Sequence, residues 1–184
     1  MTCIVAVESD GKVVMGGDSA GVGGLNVIVR ADEKVFRNGK FLMGFTDSFR
    51  MGQLLRYSLE TSKLKVPDYD DELMKFMSVD FINAVRKTFK DGGYGKHGDG
   101  DNEGGTFLVG VKGKIFTIYS DFQVARPADG FAAVGCGQSY ALGALYVTSP
   151  SGGVDGARHQ VRTALETAEK FSGGVSAPFV ILEN

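Results

Sequence analysis

Histidine and cysteine are scarce in this chain of 184 residues, which contains two of each and no tryptophan. The two cysteines, Cys3 and Cys136, are too few for a disulfide framework, and no CxxC or Cys/His spacing predicts a zinc site. His97 and His159 are too few for a multi-histidine metal site, and they leave little material for a Ser-His-Asp triad. We therefore expect neither a metal nor a cofactor.

Long hydrophobic runs and an excess of one charge are also missing. No apolar run approaches the ~20 residues of a membrane-spanning helix. The first residues lack the basic and apolar stretches of a signal peptide, because a strand-like run begins at once. The formal net charge is -2, and the basic residues are scattered. We expect a reduced, cytoplasmic protein that binds neither nucleic acid nor a membrane.

Proline is rare, with 4 residues, whereas glycine is abundant, with 27. The glycines form short clusters without a fixed period, which excludes a collagen-like or repeat architecture and is typical of turns between strands. The 43% hydrophobic and 23% charged residues are ordinary for a globular protein. A chain of this length can bury a sizeable core, and no internal linker is evident. We predict a single domain over residues 1–184.

The order of hydrophobic patterns predicts the fold class. Short β-rich runs at 3–7 and 12–17 flank a Ser-Asp-Gly turn and predict a hairpin, and further strands are expected at 25–29, 34–36 and 40–45. Helical spacing of apolar residues predicts helices at 48–62 and 71–90. Two strands at 106–111 and 114–119, a strand at 131–135, helices at 139–148 and 156–171, and a strand at 175–182 complete the order.

Strands and helices are therefore grouped rather than alternating, which favours layered α+β packing over βαβ winding. Two stacked sheets with helix pairs outside them would bury every apolar face. The predicted architecture is a four-layer αββα sandwich.

An acidic segment at residues 99–104 is similar to the first half of a calcium-binding loop, with oxygen-bearing residues at alternating positions and a glycine at the sixth. Gly110 stands at the twelfth position, where such a loop needs a bidentate glutamate. We interpret the segment as a solvated acidic loop.

The N-terminal third resembles the opening of proteasome β subunits and the HslV peptidase, which are N-terminal nucleophile (Ntn) hydrolases of the threonine type. The resemblance is carried by residues 2–7 and 13–20. In that family a threonine begins the mature chain, an aspartate follows a second strand, and a lysine follows at a similar spacing. Those positions here are Thr2, Asp18 and Lys34.

Two later segments extend the resemblance. Residues 131–141 resemble the family's glycine-serine-glycine segment leading into a helix, with Cys136 where the family has serine. Residues 169–174 resemble its aspartate-x-x-serine-glycine-glycine segment, with Glu169 in place of the aspartate and Ser172 as the serine. Near Gly44 the chain is several residues shorter than the family's glycine-rich oxyanion loop. The chain therefore looks like a divergent member.

The chemistry explains why these residue types are needed. A threonine hydroxyl requires a base, and a free α-amine on the same residue can accept its proton. The reference pKa of that amine, roughly 8, suits neutral pH better than the roughly 10.4 of lysine. Lys34, kept charged by Asp18, would lower the pKa of the amine and the hydroxyl through its field.

The resemblance implies a role for each candidate. Thr2 is the nucleophile once Met1 has been removed, which the small Thr2 side chain permits. Backbone N–H groups near Gly44 stabilise the oxyanion, worth about 3–4 kcal/mol each. The residues expected to support the site are Glu169, Ser172 and Cys136.

The implied activity is peptide-bond hydrolysis inside a self-assembled homo-oligomeric ring. The implied partners are peptides or unfolded proteins and an ATP-dependent unfoldase. Two alternatives stay open: a proteasome-like subunit without catalysis that serves as a structural or binding component, and an Ntn hydrolase acting on a small amide.

Overall fold

The chain forms two antiparallel β-sheets that stack face to face between helices. A computed structural model describes residues 1–97, 102–148 and 152–184. The strands are β1 Cys3–Ser9, β2 Lys12–Gly17, β3 Ala20–Gly23, β4 Asn26–Val29, β5 Val35–Asn38, β6 Phe41–Phe45, β7 Lys96–His97, β8 Asn102–Glu103, β9 Phe107–Val111, β10 Lys114–Ile118, β11 Val124–Ala125, β12 Phe131–Gly135 and β13 Val180–Glu183. The helices are α1 Phe49–Tyr57, α2 Asp70–Phe76, α3 Ile82–Asp91, α4 Gln138–Val147 and α5 Gly153–Phe171, with a π-helical turn at Met77–Phe81 and a 3-10 turn at Thr61–Lys63.

The first sheet has the strand order β12-β1-β2-β13, and the second has β11-β10-β9-β6-β5. β1 lies at the centre of the first sheet, where Val5 is opposite both Ala133 of β12 and Gly16 of β2. β6 lies inside the second sheet, between β5 and β9. β3 and β4 form a separate hairpin, as do β7 and β8. Both central strands therefore have their backbone groups paired on two sides.

Alternation along the strands separates the layers. On β1, Ile4 and Ala6 belong to the cluster between the sheets, whereas Val5 and Val7 pack against the layer of α4 and α5. On β6, Leu42 points between the sheets and Met43 packs against α1 to α3. Successive side chains of a strand point to opposite faces, so each sheet buries both faces. The predicted αββα sandwich is confirmed.

A close approach of the sheets requires glycine at Gly44 in β6. A Cβ atom there would lie 2.5 Å from Ile4 Cγ2 and 2.9 Å from Met15 Sδ in the first sheet. Such distances are below van der Waals contact, so a side chain at this position would force the sheets apart. Gly44 therefore fixes the spacing of the layers near the start of β1.

Several elements differ from the prediction in their bounds or were not predicted. The helix predicted at 48–62 ends at Tyr57, because Asn38 Nδ2 donates to the carbonyls of Leu55 and Leu59 and takes the place of further helical N–H groups. The strand predicted at 175–182 is confined to Val180–Glu183. The hairpin strand β3 was not predicted. The helix predicted at 71–90 is one helical run over α2, the π-helical turn and α3.

Residues 172–179, predicted in part as strand, are instead a loop held at three points. Glu169 Oε1 accepts the Ala177 N–H at 2.7 Å. Ser19 donates its N–H to the Ser176 carbonyl at 3.0 Å and its hydroxyl to the Pro178 carbonyl at 2.7 Å. These bonds use backbone groups that a strand would give to a neighbour, and the two glycines and the proline within 172–179 also disfavour a strand. The loop lies next to the end of β2.

The acidic segment at 99–104 falls largely on residues outside the described ranges. Within the described ranges, no group of three or more His, Cys, Asp and Glu side chains is arranged to hold a metal ion. No helix in the described parts of the chain is long and apolar enough to cross a membrane.

Candidate active site

Thr2 lies directly before β1 and is almost fully buried, with 5% of its surface exposed. Its nitrogen donates a hydrogen bond to Cys136 Sγ at 3.3 Å, and its hydroxyl donates to the Met1 carbonyl. The Gly137 N–H donates to the Thr2 carbonyl at 3.4 Å. The pairing of Cys3 with Gly135 across β1 and β12 holds the start of β1 in this position.

A buried ion pair lies beside Thr2. Lys34 Nζ is 2.9 Å and 3.0 Å from the two carboxylate oxygens of Asp18, and both residues are 1% exposed. The same carboxylate accepts the Cys3 N–H at 2.9 Å and the Ala20 N–H at 3.0 Å. Charged and backbone donors thus satisfy both oxygens of the Asp18 carboxylate. The pair is therefore fixed to the backbone at the start of β1 and at the start of β3.

The ammonium of Lys34 lies beside the backbone that precedes Thr2. Its Nζ donates to the Met1 carbonyl, which precedes Thr2, at 3.5 Å. Burial lowers the pKa of Lys34 from its usual value, and the charge of Asp18 opposes that shift. The charged end of Lys34 is therefore held beside the peptide bond between Met1 and Thr2.

Cys3, although next in sequence, is unsuited to act as a nucleophile. Its side chain is fully buried in the helix-facing layer. Burial, followed by the charge of Asp18, raises the pKa of the Cys3 thiol to about 12. Since the thiolate is the reactive form, Cys3 is inert near neutral pH.

Cys136 and Ser172 complete the surroundings of the Thr2 nitrogen. Cys136 Sγ also lies 3.4 Å from the Thr2 carbonyl, and the Ser172 hydroxyl is 3.6 Å from that sulfur. Glu169 is placed differently, because its carboxylate binds the Ala177 N–H and so holds the loop that follows Ser172. The structure thus brings together Thr2, Asp18, Lys34, Cys136 and Ser172, with Glu169 one step removed.

Gly44 lies inside β6, opposite Val35 of β5 and Leu108 of β9. The next two N–H groups are also in use: that of Phe45 donates to the Lys34 carbonyl at 3.1 Å, and that of Thr46 donates to the Thr106 carbonyl at 3.1 Å. Asp47 follows with a left-handed backbone, φ 59°. Among the described residues, its N–H meets no acceptor. The available donor near Gly44 is therefore the Asp47 N–H.

A residue that sequence reasoning did not single out is Gly135, at the end of β12. Its φ is +97°, and a Cβ atom there would lie 2.2 Å from the Thr2 carbonyl oxygen. Only glycine tolerates this conformation at this distance. The glycine pair around Cys136 was the available signal. Ser19 was also missed, although it directly follows Asp18.

An open cleft of about 620 Å³ borders the site. Its lining includes Asp47, Gly135, Thr106, Tyr119, Arg126 and Gln138. Gly135 contacts Thr2 and also lines the cleft, so the cleft lies next to the residues that surround Thr2. The arrangement places a buried threonine hydroxyl, a buried lysine–aspartate pair and an open cleft close together.

Comparison with known proteins gives relatives both by sequence and by structure. The chain is 28% identical over 149 residues to the ATP-dependent protease subunit HslV of Syntrophobacter fumaroxidans, covering 78% of this chain and 74% of that protein. The chain matches no family profile.

Solved structures of three proteins superpose over nearly the whole chain. Thiobacillus denitrificans BPH in complex with epoxomicin has a TM-score of 0.80 at 22% identity, covering 100% of this chain and 98% of that one. Eukaryotic HslV from Trypanosoma brucei has a TM-score of 0.71 at 21% identity, covering 99% and 98%. An Anbu mutant from a Hyphomicrobium strain has a TM-score of 0.68 at 18% identity, covering 98% and 80%.

These comparisons agree with the sequence resemblance in two respects: the fold of the solved structures and HslV as a relative by sequence. The strand order places β1, which Thr2 directly precedes, inside the first sheet. The chain is a divergent HslV-like homologue with the fold of the proteasome-type Ntn hydrolases.

Proposed function

We propose that the protein is a threonine-type Ntn hydrolase that cleaves peptide bonds, with Thr2 as the nucleophile after removal of Met1. The observation that carries this proposal is the buried Asp18–Lys34 pair, whose ammonium lies 3.5 Å from the carbonyl that precedes Thr2. Burying an ion pair costs desolvation free energy, which makes such a pair a candidate for a functional role. This pair lies beside a hydroxyl that requires activation.

In the proposed mechanism the Thr2 hydroxyl attacks the scissile carbonyl and gives its proton to the α-amine of the same residue. The charge of Lys34 keeps that amine neutral enough to act as a base, and Asp18 keeps Lys34 charged. The protonated amine then gives its proton to the leaving amine, and water hydrolyses the acyl-enzyme by the same route. While Met1 is attached, the Thr2 nitrogen is an amide and has no lone pair available for this role.

The oxyanion that forms on the scissile carbonyl needs donors fixed in advance. We assign this task to the Asp47 N–H, because those of Phe45 and Thr46 already donate within the sheet. The carboxylate of Asp47 accepts the Thr106 N–H at 2.7 Å, which holds the turn in its left-handed conformation. A donor of this kind contributes about 3–4 kcal/mol to transition-state stabilisation.

Three further residues position the amine. Cys136 accepts its hydrogen bond, Ser172 contacts the sulfur, and Glu169 fixes the loop that carries the residues after Ser172. Because a thiol is a weaker hydrogen-bond partner than a hydroxyl, Cys136 holds the amine less tightly than serine would.

The substrate class and assembly follow from the relatives. The HslV relative is named as a subunit of an ATP-dependent protease. We propose that this chain cleaves peptides or unfolded proteins as a single-domain subunit of a homo-oligomeric ring, fed by an ATP-dependent unfoldase. We also propose a cytoplasmic location, supported by two unpaired cysteines. Exposed apolar side chains on β4 and α4 are consistent with contacts between subunits.

Intact mass spectrometry tests the nucleophile directly. The protein, isolated from its native host, is weighed before and after treatment with a peptide epoxyketone. We expect a mass without Met1 and one covalent adduct. Thr2→Ala should abolish the adduct, whereas Thr88→Ala, which changes a threonine of α3 in the opposite helix layer, should retain it.

The other outcomes separate the alternatives. Retained Met1 with no adduct contradicts the hydrolase proposal and leaves a structural or binding subunit with the same fold. An adduct without peptide cleavage, together with turnover of a small amide, favours the small-amide hydrolase.

A further inference from the structure

Three reactive groups lie close together beside Thr2: the Thr2 nitrogen, the Cys136 thiol and the Ser172 hydroxyl. Cys136 Sγ lies 3.3 Å from the Thr2 nitrogen and 3.6 Å from the Ser172 hydroxyl. The proposed hydrolysis uses the nitrogen as a base but gives the sulfur no chemical step. A thiol in contact with an amine is therefore a reactive pair that the proposed function does not use.

Cys136 is the cysteine that an oxidant can reach. Its side chain is exposed, whereas Cys3 is buried. Cys3 is further protected because burial raises the pKa of its thiol to about 12. Met1 packs against the same place, since a Cβ atom at Gly174 would lie 2.6 Å from Met1 Cβ and 2.7 Å from Cys136 Sγ. Removal of Met1 therefore frees the amine beside a thiol that an oxidant can already reach.

We propose that Cys136 and the α-amine of Thr2 form a reversible peroxide-sensitive switch, in which a sulfur–nitrogen bond between them turns the hydrolase off. The proposal rests on the proposed function for the free amine. Sulfenic acids condense with nearby nitrogen or thiol groups, and the Thr2 nitrogen is in contact with this sulfur.

The reaction balances with hydrogen peroxide as the oxidant. Its O–O bond breaks, one oxygen passes to the Cys136 sulfur, and water leaves, which gives the sulfenic acid. The lone pair of the Thr2 amine then attacks the sulfur, the S–O bond breaks, and the hydroxide leaves as water with a proton from the nitrogen. The protein has lost two hydrogens, and hydrogen peroxide has been reduced to two waters.

Reduction restores the enzyme. A thiolate attacks the sulfur of the sulfenamide, the S–N bond breaks, and the nitrogen takes a proton to become the amine again. A second thiol resolves the mixed disulfide and releases the free Cys136 thiol. In the bridged state the Thr2 hydroxyl is intact, but the base that must accept its proton is bound to sulfur.

The closing experiment starts from reduced protein whose epoxyketone adduct and peptidase activity have been verified, so a failure of the hydrolase proposal is detected before peroxide is added. Stoichiometric hydrogen peroxide should lower activity at least about tenfold, since the base is lost. The mass should fall by about 2 Da, the loss of two hydrogens in the bridge. The N-terminal amine should also stop reacting with an amine-directed label. A phosphine or dithiol reductant should restore all three readouts.

Two variants make the result specific. Cys136→Ser, compared with its own untreated activity, should resist peroxide and keep its amine labelling. Cys3→Ala should still lose two hydrogens, because the bridge does not involve Cys3. Fragmentation of the N-terminal peptide should place the link between Thr2 and Cys136, a measurement that holds even if Cys3→Ala folds poorly.

Three results would overturn the switch. These are an amine that still reacts after peroxide treatment, a link located between Cys3 and Cys136, or a gain of oxygen on Cys136 that reductant cannot reverse. Each of these is independent of whether Thr2 is the nucleophile.

Discussion

At the scale of single residues, the most unusual feature is a lysine that is buried among apolar strands. Lys34 is tolerated because Asp18 lies within 3.0 Å and because the backbone N–H groups of Cys3 and Ala20 satisfy the same carboxylate. Burial removes the water that would stabilise the charge of Lys34 and so lowers the pKa of this lysine. The negative charge of Asp18 opposes that shift. The two residues therefore depend on each other.

Replacing Asp18 by asparagine should destabilise the protein by about 3–5 kcal/mol, because the charge of Lys34 is left buried without a partner. The change should be measured by denaturant unfolding. Asp32→Asn is the matched control, since Asp32 pairs with Arg30 at the surface, where a single ion pair is worth about 0–1 kcal/mol. Equal losses in the two variants would contradict the role of the buried pair.

The pH dependence of the same variant has a defined sign. The folded-state pKa of Lys34 is lowered relative to the unfolded chain, so the unfolded chain binds more protons between the two values. Stability from this group therefore increases as the pH rises towards the unfolded pKa. Without Asp18 the pKa falls further, so the loss in Asp18→Asn should be smaller near the ordinary lysine pKa of about 10.4 than at neutral pH.

At the scale of elements, the turn from β12 into α4 positions Thr2, the proposed nucleophile. The strand ends at Gly135, with φ +97°, and the helix begins at Gln138, so three residues reverse the chain around Thr2. Gly135 places its backbone against the Thr2 carbonyl, Cys136 holds the Thr2 nitrogen, and Gly137 donates its N–H. The position of Thr2 is thus set by a strand–helix junction whose Cys136 is 134 residues away in the chain.

Gly135→Ala should move Thr2 and lower the rate of epoxyketone modification at least about tenfold, since small displacements in an active site cost that much or more. It should also lower stability by about 1 kcal/mol or more, because alanine disfavours a positive φ. Gly143→Ala in α4 is the control: no atom lies within 4 Å of its Cβ position, so this change should stabilise the helix by up to about 1 kcal/mol. Unchanged reactivity in Gly135→Ala would contradict the assigned position of Thr2.

Local patterns predicted most of these elements. The β1–β2 hairpin follows from two short β-rich runs around a turn, and α5 follows from its helical spacing, because both signals are local. The loop at residues 172–179 was partly predicted as strand, since its tertiary bonds to Glu169 and Ser19 leave no trace in composition. Thr2, Asp18 and Lys34 were expected from a family resemblance. The cleft residues Tyr119 and Arg126 flank the paired strands β10 and β11, and no local pattern joins that hairpin to the distant N-terminus.

At the scale of the whole molecule, β3 and β4 form a hairpin that pairs with neither sheet. All four residues of β4 are exposed, and Leu25 in the turn is fully exposed. An exposed apolar strand is a hazard for a protein that stays alone in solution and is typical of a contact surface. The hairpin is therefore the surface where we expect another subunit to bind.

Ile28→Lys should reduce the assembled mass measured by light scattering after size-exclusion chromatography, because a charge would be buried between subunits. The thermal stability of the dissociated subunit should change by less than about 0.5 kcal/mol, since Ile28 is exposed there. Val79→Lys, at an exposed position of the π-helical turn between α2 and α3, should leave the assembly intact. An unchanged assembly in Ile28→Lys would exclude β4 as the contact surface.

The contrast between Met1 and Thr2 has a consequence for timing. Met1 is 55% exposed but Thr2 is 5% exposed, and the bond between them lies against Lys34 and Cys136. An aminopeptidase must bind the residue on each side of the bond that it cuts. In the folded subunit Met1 is accessible to it and Thr2 is buried. On the proposed function, Met1 is removed during synthesis, while β1 is still unpaired. A chain that folds before Met1 is removed stays inactive for its lifetime.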